Sequence, residues 1–218
     1  MSVAPQTPKS TPLKNGPLVL DDKGVGECLC RDDGSPYDVH GTAVLCRCGG
    51  SSRKPFCDGT HASIGFTSEC VSDRRHDHRD DYEADGITVH DNRQACAHAE
   101  RCIHGAPEVF HKMHRPWITP EAADPDAIAA VVERCPSGAL SYTRDGVEHR
   151  DLDSAPQVLV RPGGPYEVSG GVELEVGEDE WAEGVSREHY ALCRCGGSSN
   201  KPFCDGTHWK NGFADAGE

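Results

Sequence analysis

The feature that most constrains this chain is a 16-residue string that occurs twice, each time with three cysteines and one histidine at the same spacing. "CRCGGSSRKPFCDGTH" begins at Cys46, and "CRCGGSSNKPFCDGTH" begins at Cys193. Extended to Leu45–Phe66 and Leu192–Phe213, the copies share 18 of 22 residues at an offset of 147. A repeat this close predicts two copies of one small structural unit.

Composition indicates that metal, rather than a large apolar core, stabilises the chain. Leu, Ile, Val and Phe together number 37 of 218 residues, the net charge is −14, and there are twelve cysteines. Small domains with little apolar surface use metals or disulfides. The N-terminal segment does not resemble a signal peptide, so we expect a cytoplasmic protein in which cysteines bind metal.

The same composition argues against two classes of partner. No basic stripe exists that could neutralise phosphates, which argues against nucleic acid. No apolar run approaches the length of a membrane span, so we expect no membrane partner either.

The spacing inside the motif predicts two pairs of metal ligands. In an extended segment Cys46 and Cys48 point to the same side, and Cys57 and His61 share one face of a helix that Asp58 and Gly59 could start. Three thiolates and one imidazole satisfy either a tetrahedral zinc or a [2Fe–2S] cluster. The second copy offers the same ligand set, which is Cys193, Cys195, Cys204 and His208.

A different cysteine pattern lies between the two copies. Cys96 and Cys102 have the spacing of a bacterial ferredoxin motif, but Ala99 stands where the second cysteine is expected. Cys135, followed by proline, supplies the remaining cysteine at the end of a helix that starts at Asp124. Three thiolates suit a [3Fe–4S] cluster. A [4Fe–4S] cluster would need another ligand, such as water, His98 or His104.

These motifs carry two family resemblances. The repeated string resembles the CDGSH iron–sulfur family, the mitoNEET-like proteins, with Thr60 and Thr207 at the serine position. That resemblance implies a [2Fe–2S] cluster in each copy, with one iron on the first two cysteines and the other on the last cysteine and the histidine. The family's usual unit is a homodimer with exchanged strands, and a chain with two copies resembles its tandem members. The middle segment, through "PEVF", "RPWI" and "CPSGAL", resembles divergent single-cluster ferredoxin domains.

We therefore expect an α+β protein in which two small β-rich CDGSH units pair as an intramolecular pseudo-dimer around a ferredoxin-like α/β insert. The expected boundaries are a flexible tail (1–16), a first CDGSH domain (17–80), a ferredoxin-like domain (81–147) and a second CDGSH domain (148–218). The chain would then be a monomer with an internal pseudo-two-fold axis.

The functional expectation is single-electron transfer rather than enzymatic catalysis. The sequence contains no Ser/His/Asp arrangement, no phosphate-binding P-loop and no dinucleotide fingerprint. An acidic chain of this kind suits a redox partner with a basic surface. The alternative is an iron–sulfur cluster carrier, or a sensor of redox state or pH. Cys28, Cys30 and Cys70 have no matching partners in sequence, and we expect ordinary thiols there.

Overall fold

A computed structural model of the protein describes residues 8–21, 23 and 25–215, and it is mixed α and β with mostly short strands. The strands are β1 Lys9–Pro12, β2 Leu18–Leu20, β3 Leu29–Arg31, β4 Ala43–Leu45, β5 Asp80–Ala84, β6 Ile87–Asp91, β7 Leu140–Arg144, β8 Val147–His149, β9 Gln157–Val160, β10 Tyr166–Ser169, β11 Glu173–Leu174 and β12 Tyr190–Leu192. The helices are α1 Val25–Cys28, α2 Thr60–Ser63, α3 Arg101–Gly105 and α4 Pro125–Val132.

Two of the three sheets contain strands from both halves of the chain. The first sheet has the order β11-β1-β2-β4, so a strand that precedes the second motif lies beside the N-terminal strand. The second sheet has the order β12-β10-β9-β3, so a strand that precedes the first motif completes it. Both exchanged strands pair in parallel, whereas the other pairs in these sheets are antiparallel. Each of these two sheets therefore needs one strand from the other half of the chain to be complete.

The two mixed sheets enclose one apolar core. Its fully buried members come from both halves and include Leu18, Leu20, Leu29, Leu45, Val158, Tyr166, Val168, Tyr190 and Leu192. The Tyr166 hydroxyl donates a hydrogen bond to the carbonyl oxygen of Cys46 at 2.8 Å, which ties the second half to the first motif. Pooling the side chains of both halves in one core compensates for the low apolar content of each.

The two motifs touch each other directly. Cys48 and Cys195 form an isolated antiparallel β-bridge. Gly49 and Gly196, the next residues, both have φ of +75°. A Cβ atom on Gly49 would lie 2.6 Å from the carbonyl oxygen of Cys195, and one on Gly196 would lie 2.5 Å from that of Cys48. This close approach of two backbones requires glycine at both positions.

The insert has its own sheet and core. Its strands form an antiparallel meander in the order β5-β6-β7-β8, and α4 packs against β7. The Asp124 carboxylate accepts a hydrogen bond from the backbone N–H of Asp126 and caps α4, as the sequence predicts. The buried side chains include Val89, Phe110, Ile118, Ile128 and Tyr142. Among the described residues, no helix is long and apolar enough to span a bilayer.

The expectation of a flexible tail over residues 1–16 is wrong for its described part. Lys9–Pro12 is a strand that pairs on both sides, with β2 and β11; residues 1–7 lie outside the described residues. The charged stretch before the insert is ordered as well, because it contributes β5. The Arg74 side chain in that stretch donates hydrogen bonds to the backbone carbonyls of Glu180 and Trp181. The order of these polar segments could not be predicted from composition, because it depends on pairing with distant parts of the chain.

Candidate metal centres

The first candidate centre comprises Cys46, Cys48, Cys57 and His61. Its ligands meet in two pairs: the sulfur atoms of Cys46 and Cys48 are 3.7 Å apart, and the Cys57 sulfur lies 3.4 Å from Nδ1 of His61. The first pair leaves the end of β4 in extended backbone, and His61 lies in α2. The spacing predicted these two pairs, but Cys57 precedes α2, so it does not share a helix face with His61 as expected.

The second candidate centre repeats this geometry in the other half of the chain. The sulfur atoms of Cys193 and Cys195 are 3.9 Å apart, and the Cys204 sulfur lies 3.4 Å from Nδ1 of His208. The turn that carries His208 is a short 3-10 helix, whereas the equivalent turn in the first centre is α-helical. The repeated sequence therefore produces the same paired ligands twice.

Backbone N–H groups approach the thiols in both centres. Gly50 donates to the sulfur of Cys48 and Gly59 to that of Cys57, each at 3.4 Å. Gly197 and Gly206 make the corresponding contacts at 3.5 Å. Such donors favour the thiolate over the thiol, which is the form that binds metal.

The arginine between the first two cysteines of each motif binds backbone carbonyl groups and does not face the candidate metal site. Alternation in the extended segment points Arg47 and Arg194 away from the paired sulfur atoms. Both guanidinium groups are buried and donate to backbone carbonyls, Arg47 to Gly16 at 3.0 Å and Arg194 to Gly164 at 2.9 Å. These bonds fix the first Cys-x-Cys segment to the loop between β1 and β2, and the second to the loop between β9 and β10.

The two centres differ in their exposure to solvent. His208 is 6% exposed, whereas His61 is only partly buried. Two features accompany the difference: the Trp209 ring, absent from the first copy, lies 5.1 Å from the His208 ring, and a Cβ atom on Gly206 would lie 2.9 Å from the side chain of His98 of the insert. A Cβ atom on the equivalent Gly59 would meet no described heavy atom within 4 Å. The insert covers the second centre and leaves the first open.

Two of the four differences between the copies lie where the insert docks, and one of them is Trp209, which replaces Ala62 and donates to the carbonyl oxygen of His98 at 3.1 Å. Asn200, which replaces Arg53 of the first copy, is buried and exchanges two hydrogen bonds with Gln94 of the insert, at 2.8 and 2.9 Å. Arg53 is exposed. A long cation at position 200 would occupy the space of this contact, so the substitution suits the docked arrangement.

The protonation of the second centre reflects its burial. The hydrogen bond from the Cys193 thiol lowers the pKa of Cys195 to about 6, and burial raises the pKa of Cys204 to about 12. Burial also lowers the pKa of His208, which favours the neutral imidazole that a metal needs. A buried thiol such as Cys204 becomes a thiolate only when a nearby cation compensates its charge.

The middle candidate centre is a cavity in the insert lined by Cys96, Cys102 and Cys135. The three thiols come from a 3-10 turn, from α3 and from the end of α4, and Ala99 lines the same cavity. Burial raises the pKa of Cys96 to about 11 and that of Cys102 to about 12. The three predicted cysteines thus line one cavity, and the methyl group of Ala99 lies where a fourth cysteine was expected from the motif.

A cation accompanies these thiols. Burial alone would lower the pKa of Arg93, but attraction to Cys96 and to Asp91 raises it. The Arg93 guanidinium also lies 4.6 Å from the centre of the Trp117 ring. It is placed to offset the negative charge of cysteine thiolates in the cavity.

Sequence reasoning missed Asp91, which lines the same cavity at 1% exposure. Its Oδ2 accepts a hydrogen bond from the Trp117 indole at 3.1 Å, while Oδ1 has no partner among the described residues. A signal was present in the sequence, because Ile87, Val89 and Asp91 alternate along β6 and must share its buried face. A carboxylate at the end of an apolar strand face indicates a buried charge that needs a hydrogen-bond partner, a cation or a metal.

The two histidines considered as extra ligands lie differently. His104 is 76% exposed and pairs with Glu100 at the surface. His98 borders the cavity, but its side chain lies against Gly206 of the second centre.

Comparison with known families agrees with the placement of these centres. The family described as "Iron-binding zinc finger CDGSH type" matches residues 15–62 and 163–209. The family described as "Divergent 4Fe-4S mono-cluster" matches residues 82–145. The two regions matched by the first family include both outer sets of candidate ligands, and the region matched by the second includes all three middle cysteines.

Among curated proteins, two relatives from Escherichia coli are similar to part of the chain. "Uncharacterized protein YjdI" of strain K12 is 36% identical over 61 residues, which is 28% of this chain and 80% of the relative, and its counterpart in O157:H7 matches equally. No solved structure matches the chain. The chain belongs to the family of these relatives and is a tandem CDGSH-type iron–sulfur protein with a divergent single-cluster ferredoxin domain between its two CDGSH regions.

Proposed function

We propose that this protein transfers single electrons through two [2Fe–2S] clusters and one ferredoxin-type cluster. The observation that carries the proposal is the arrangement of ligands in pairs in both outer centres. A tetrahedral metal with metal–sulfur bonds of about 2.3 Å holds two thiolates about 3.8 Å apart. The separations of 3.7 Å for Cys46–Cys48 and 3.9 Å for Cys193–Cys195 fit that value.

The same geometry favours a two-iron cluster over a single zinc ion. One zinc would need all four ligands of a motif around one point. Among the described residues, no three or more His, Cys, Asp or Glu side chains are grouped as one ion requires. Two separate pairs suit two metals, one on Cys46 and Cys48 and the other on Cys57 and His61.

We also propose that the CDGSH units form a pseudo-dimer within one chain, with an internal two-fold axis. Support comes from the exchanged strands β3 and β11, from the shared core, and from the reciprocal contacts of Gly49 and Gly196. Reciprocal contact of equivalent residues is what an isologous interface requires. A monomer is then sufficient, since both halves of the dimer are already present.

Electron transfer in this proposal follows the order of contacts. Ala97 packs against Cys204, and the Trp209 indole donates to the carbonyl oxygen of His98 at 3.1 Å, so the insert touches the second centre. The second centre touches the first through Cys48 and Cys195. Electrons would pass between the middle and second centres, and between the second and first.

The chain's own residues set the properties of this path. When bound, the clusters supply one-electron chemistry. His61 and His208 contribute neutral ligands, which raise the reduction potential relative to an all-cysteine site. The insert excludes water from the second centre, and Arg93 offsets negative charge in the middle one. Three thiolates in the middle centre suit a [3Fe–4S] cluster, and a [4Fe–4S] cluster needs one further ligand.

The first centre is the place where a partner can exchange electrons. Its histidine is the more exposed of the two, and Arg53 beside it is exposed as well. The net charge of −14 would attract a redox partner whose surface is basic, and electrostatic steering would speed its approach. The twelve cysteines are free thiols in the structure, in keeping with a reducing cytoplasm.

The second candidate function is cluster delivery or sensing. It is favoured by one observation, the partial exposure of His61, because a single replaceable ligand at the surface gives a route for cluster release. Mixing the loaded protein with an apo-ferredoxin separates the two functions. Rapid transfer of visible absorbance to the acceptor would support delivery, and retention with reversible reduction would support electron transfer.

The test of the main proposal is chemical analysis with a redox titration. Purified protein should contain iron and acid-labile sulfide, and its visible absorbance should bleach and recover reversibly under dithionite and air. Protein that contains zinc without sulfide, or that never bleaches, would contradict the proposal.

A further inference from the structure

The middle centre brings three thiols and one methyl group to the same cavity. Cys96, Cys102 and Cys135 provide three ligands, and Ala99 cannot bind metal. A cuboidal four-iron cluster needs a ligand on each iron, and one of them would lack a thiolate. The question is whether another side chain reaches into the cavity.

Asp91 meets the requirements for such a ligand. It lines the cavity at the end of β6, it is 1% exposed, and its carboxylate is held by one hydrogen bond only, from Trp117 to Oδ2. Oδ1 is buried and has no hydrogen-bond partner among the described residues. Because β6 is fixed between β5 and β7, this oxygen has a defined position.

We infer that Asp91 is a ligand of the middle cluster and binds, through Oδ1, the iron that Ala99 leaves without a thiolate. The inference rests on the proposed iron–sulfur function and makes it more specific. The middle cluster is then a [4Fe–4S] cluster with three cysteine ligands and one carboxylate, rather than a three-iron cluster.

Electrostatics support this assignment. Burial raises the pKa of Asp91 to about 7, because an ionised carboxylate without a partner is costly in a dry cavity. Arg93 attracts it but makes no ion pair within 4 Å among the described residues. An iron at Oδ1 would supply both the missing positive charge and the missing contact. Carboxylate oxygen is an ordinary ligand for iron.

The other polar side chains near the centre fit the role less well. His104 is exposed and paired with Glu100. His98 borders the cavity, but its ring packs on Gly206 and is influenced by Asp205. Neither has a buried atom that lacks a partner among the described residues.

A carboxylate ligand also predicts a specific weakness of the cluster. Oxidation by ferricyanide removes one electron from [4Fe–4S]²⁺ and releases one Fe²⁺, leaving [3Fe–4S]⁺ on the three cysteines, so that atoms and charge balance. The iron that leaves is the one on Asp91, because a carboxylate binds iron less strongly than a thiolate does. Added Fe²⁺ with a reductant reverses the step as long as Asp91 is present.

Electron paramagnetic resonance of the full-length protein tests the inference. Oxidised [2Fe–2S]²⁺ and [4Fe–4S]²⁺ clusters are diamagnetic, whereas [3Fe–4S]⁺ is paramagnetic, so the oxidised protein reports the middle centre alone. Wild-type protein purified without oxygen should be silent. Asp91→Asn keeps the shape and the acceptor for Trp117 but weakens the iron ligand, and it should show about one spin per chain.

Three controls separate ligation from a structural role. Trp117→Phe removes the hydrogen bond to Oδ2 and should stay silent. The double variant Asp91→Asn with Ala99→Cys should be silent again, because a thiolate then holds the fourth iron. Ferricyanide-treated wild type should lose its signal when Fe²⁺ and reductant are added, and Asp91→Asn should not.

Two results would overturn the inference while leaving the proposed function intact. One is a full three-iron signal in wild-type protein purified without oxygen. The other is an Asp91→Asn variant that is silent and has unchanged iron content. Absence of iron and sulfide from the wild type would instead contradict the proposed function itself. Should Asp91→Asn fail to fold, Asp91→Cys decides the question, because a thiolate at the position of Oδ1 should hold a four-iron cluster that ferricyanide no longer converts, whereas unchanged conversion would overturn the inference.

Discussion

The two histidine ligands show how identical residues acquire different environments. Spacing alone predicted His61 and His208 as equivalent ligands, and their distances to the neighbouring cysteine are the same, 3.4 Å. Their exposure differs, since His208 is covered by the insert and His61 is not. The pairing of each histidine with a cysteine could be predicted because it depends on local spacing. The cover could not, because it depends on a contact between residues more than 100 positions apart.

This difference predicts that the first centre loses its cluster to acid before the second. A ligating imidazole must be unprotonated, so protons compete with metal as pH falls below the ordinary histidine pKa of about 6.5. Burial lowers the pKa of His208 further, so its protonation and the accompanying loss of stability require a lower pH. Visible absorbance followed during acidification should show two phases.

Cysteine substitutions assign the phases. His61→Cys replaces a neutral ligand by an anion, so it should remove the earlier phase and lower the reduction potential of the first centre. His208→Cys, the matched variant, should affect only the later phase. Phases that stay unchanged in both variants would show that the histidines are not ligands.

Short elements hold the two halves together. The helix that the sequence predicts from Asp124 is α4. The pairing of β3 with β9 and of β1 with β11 could not be derived from periodicity, because alternation reveals which face of a strand is buried but not its neighbour. Asp91 was missed for a related reason: the alternation of β6 showed a buried face, but not the cavity that the face borders.

The glycine contact between the motifs gives a prediction at this scale. Gly49→Ala places a methyl group 2.6 Å from the carbonyl oxygen of Cys195 and should destabilise the protein more than the left-handed backbone alone would. Gly34→Ala is the control, because Gly34 also has positive φ but no described heavy atom within 4 Å of the added Cβ. The control should cost about 1 to 2 kcal/mol. The excess loss for Gly49→Ala, measured by denaturant unfolding of the loaded protein, should be at least about 1 kcal/mol; equal losses would argue against a tight contact.

At the scale of the whole molecule, one insert breaks the equivalence of the two halves. Its contacts with the second half include those between Gln94 and Asn200, and the second centre in turn touches the first. The sequence indicates this asymmetry at two positions of the repeat, where Asn200 replaces Arg53 and Trp209 replaces Ala62, but their role is evident only from the contacts that Asn200 and Trp209 make with the insert.

Exchanging Asn200 for the residue of the first copy should reduce the asymmetry. Asn200→Arg removes both hydrogen bonds to Gln94 and introduces a bulky cation, so the insert should fit less closely against the second centre, although Arg101–Glu167 and Trp209–His98 still hold it. The acid loss of the second centre should then move towards that of the first. Arg53→Asn is the matched control and should leave the acid behaviour of both centres unchanged. An Asn200→Arg protein whose two phases are as far apart as in the wild type would show that the other contacts are enough to hold the insert in place.

The exchanged strands also determine the order in which the chain can fold during synthesis. All four strands of the insert lie between residues 80 and 149, so its sheet can close as soon as that segment leaves the ribosome. The sheet that begins at Lys9 must wait for β11 at residues 173–174, and β3 must wait for β9 at residues 157–160. Until then the N-terminal half has an open strand edge, and the already folded insert lies between it and its partner strands. The sheet that contains β1 can therefore be complete only after residue 174, and the other shared sheet only after β12 at residues 190–192.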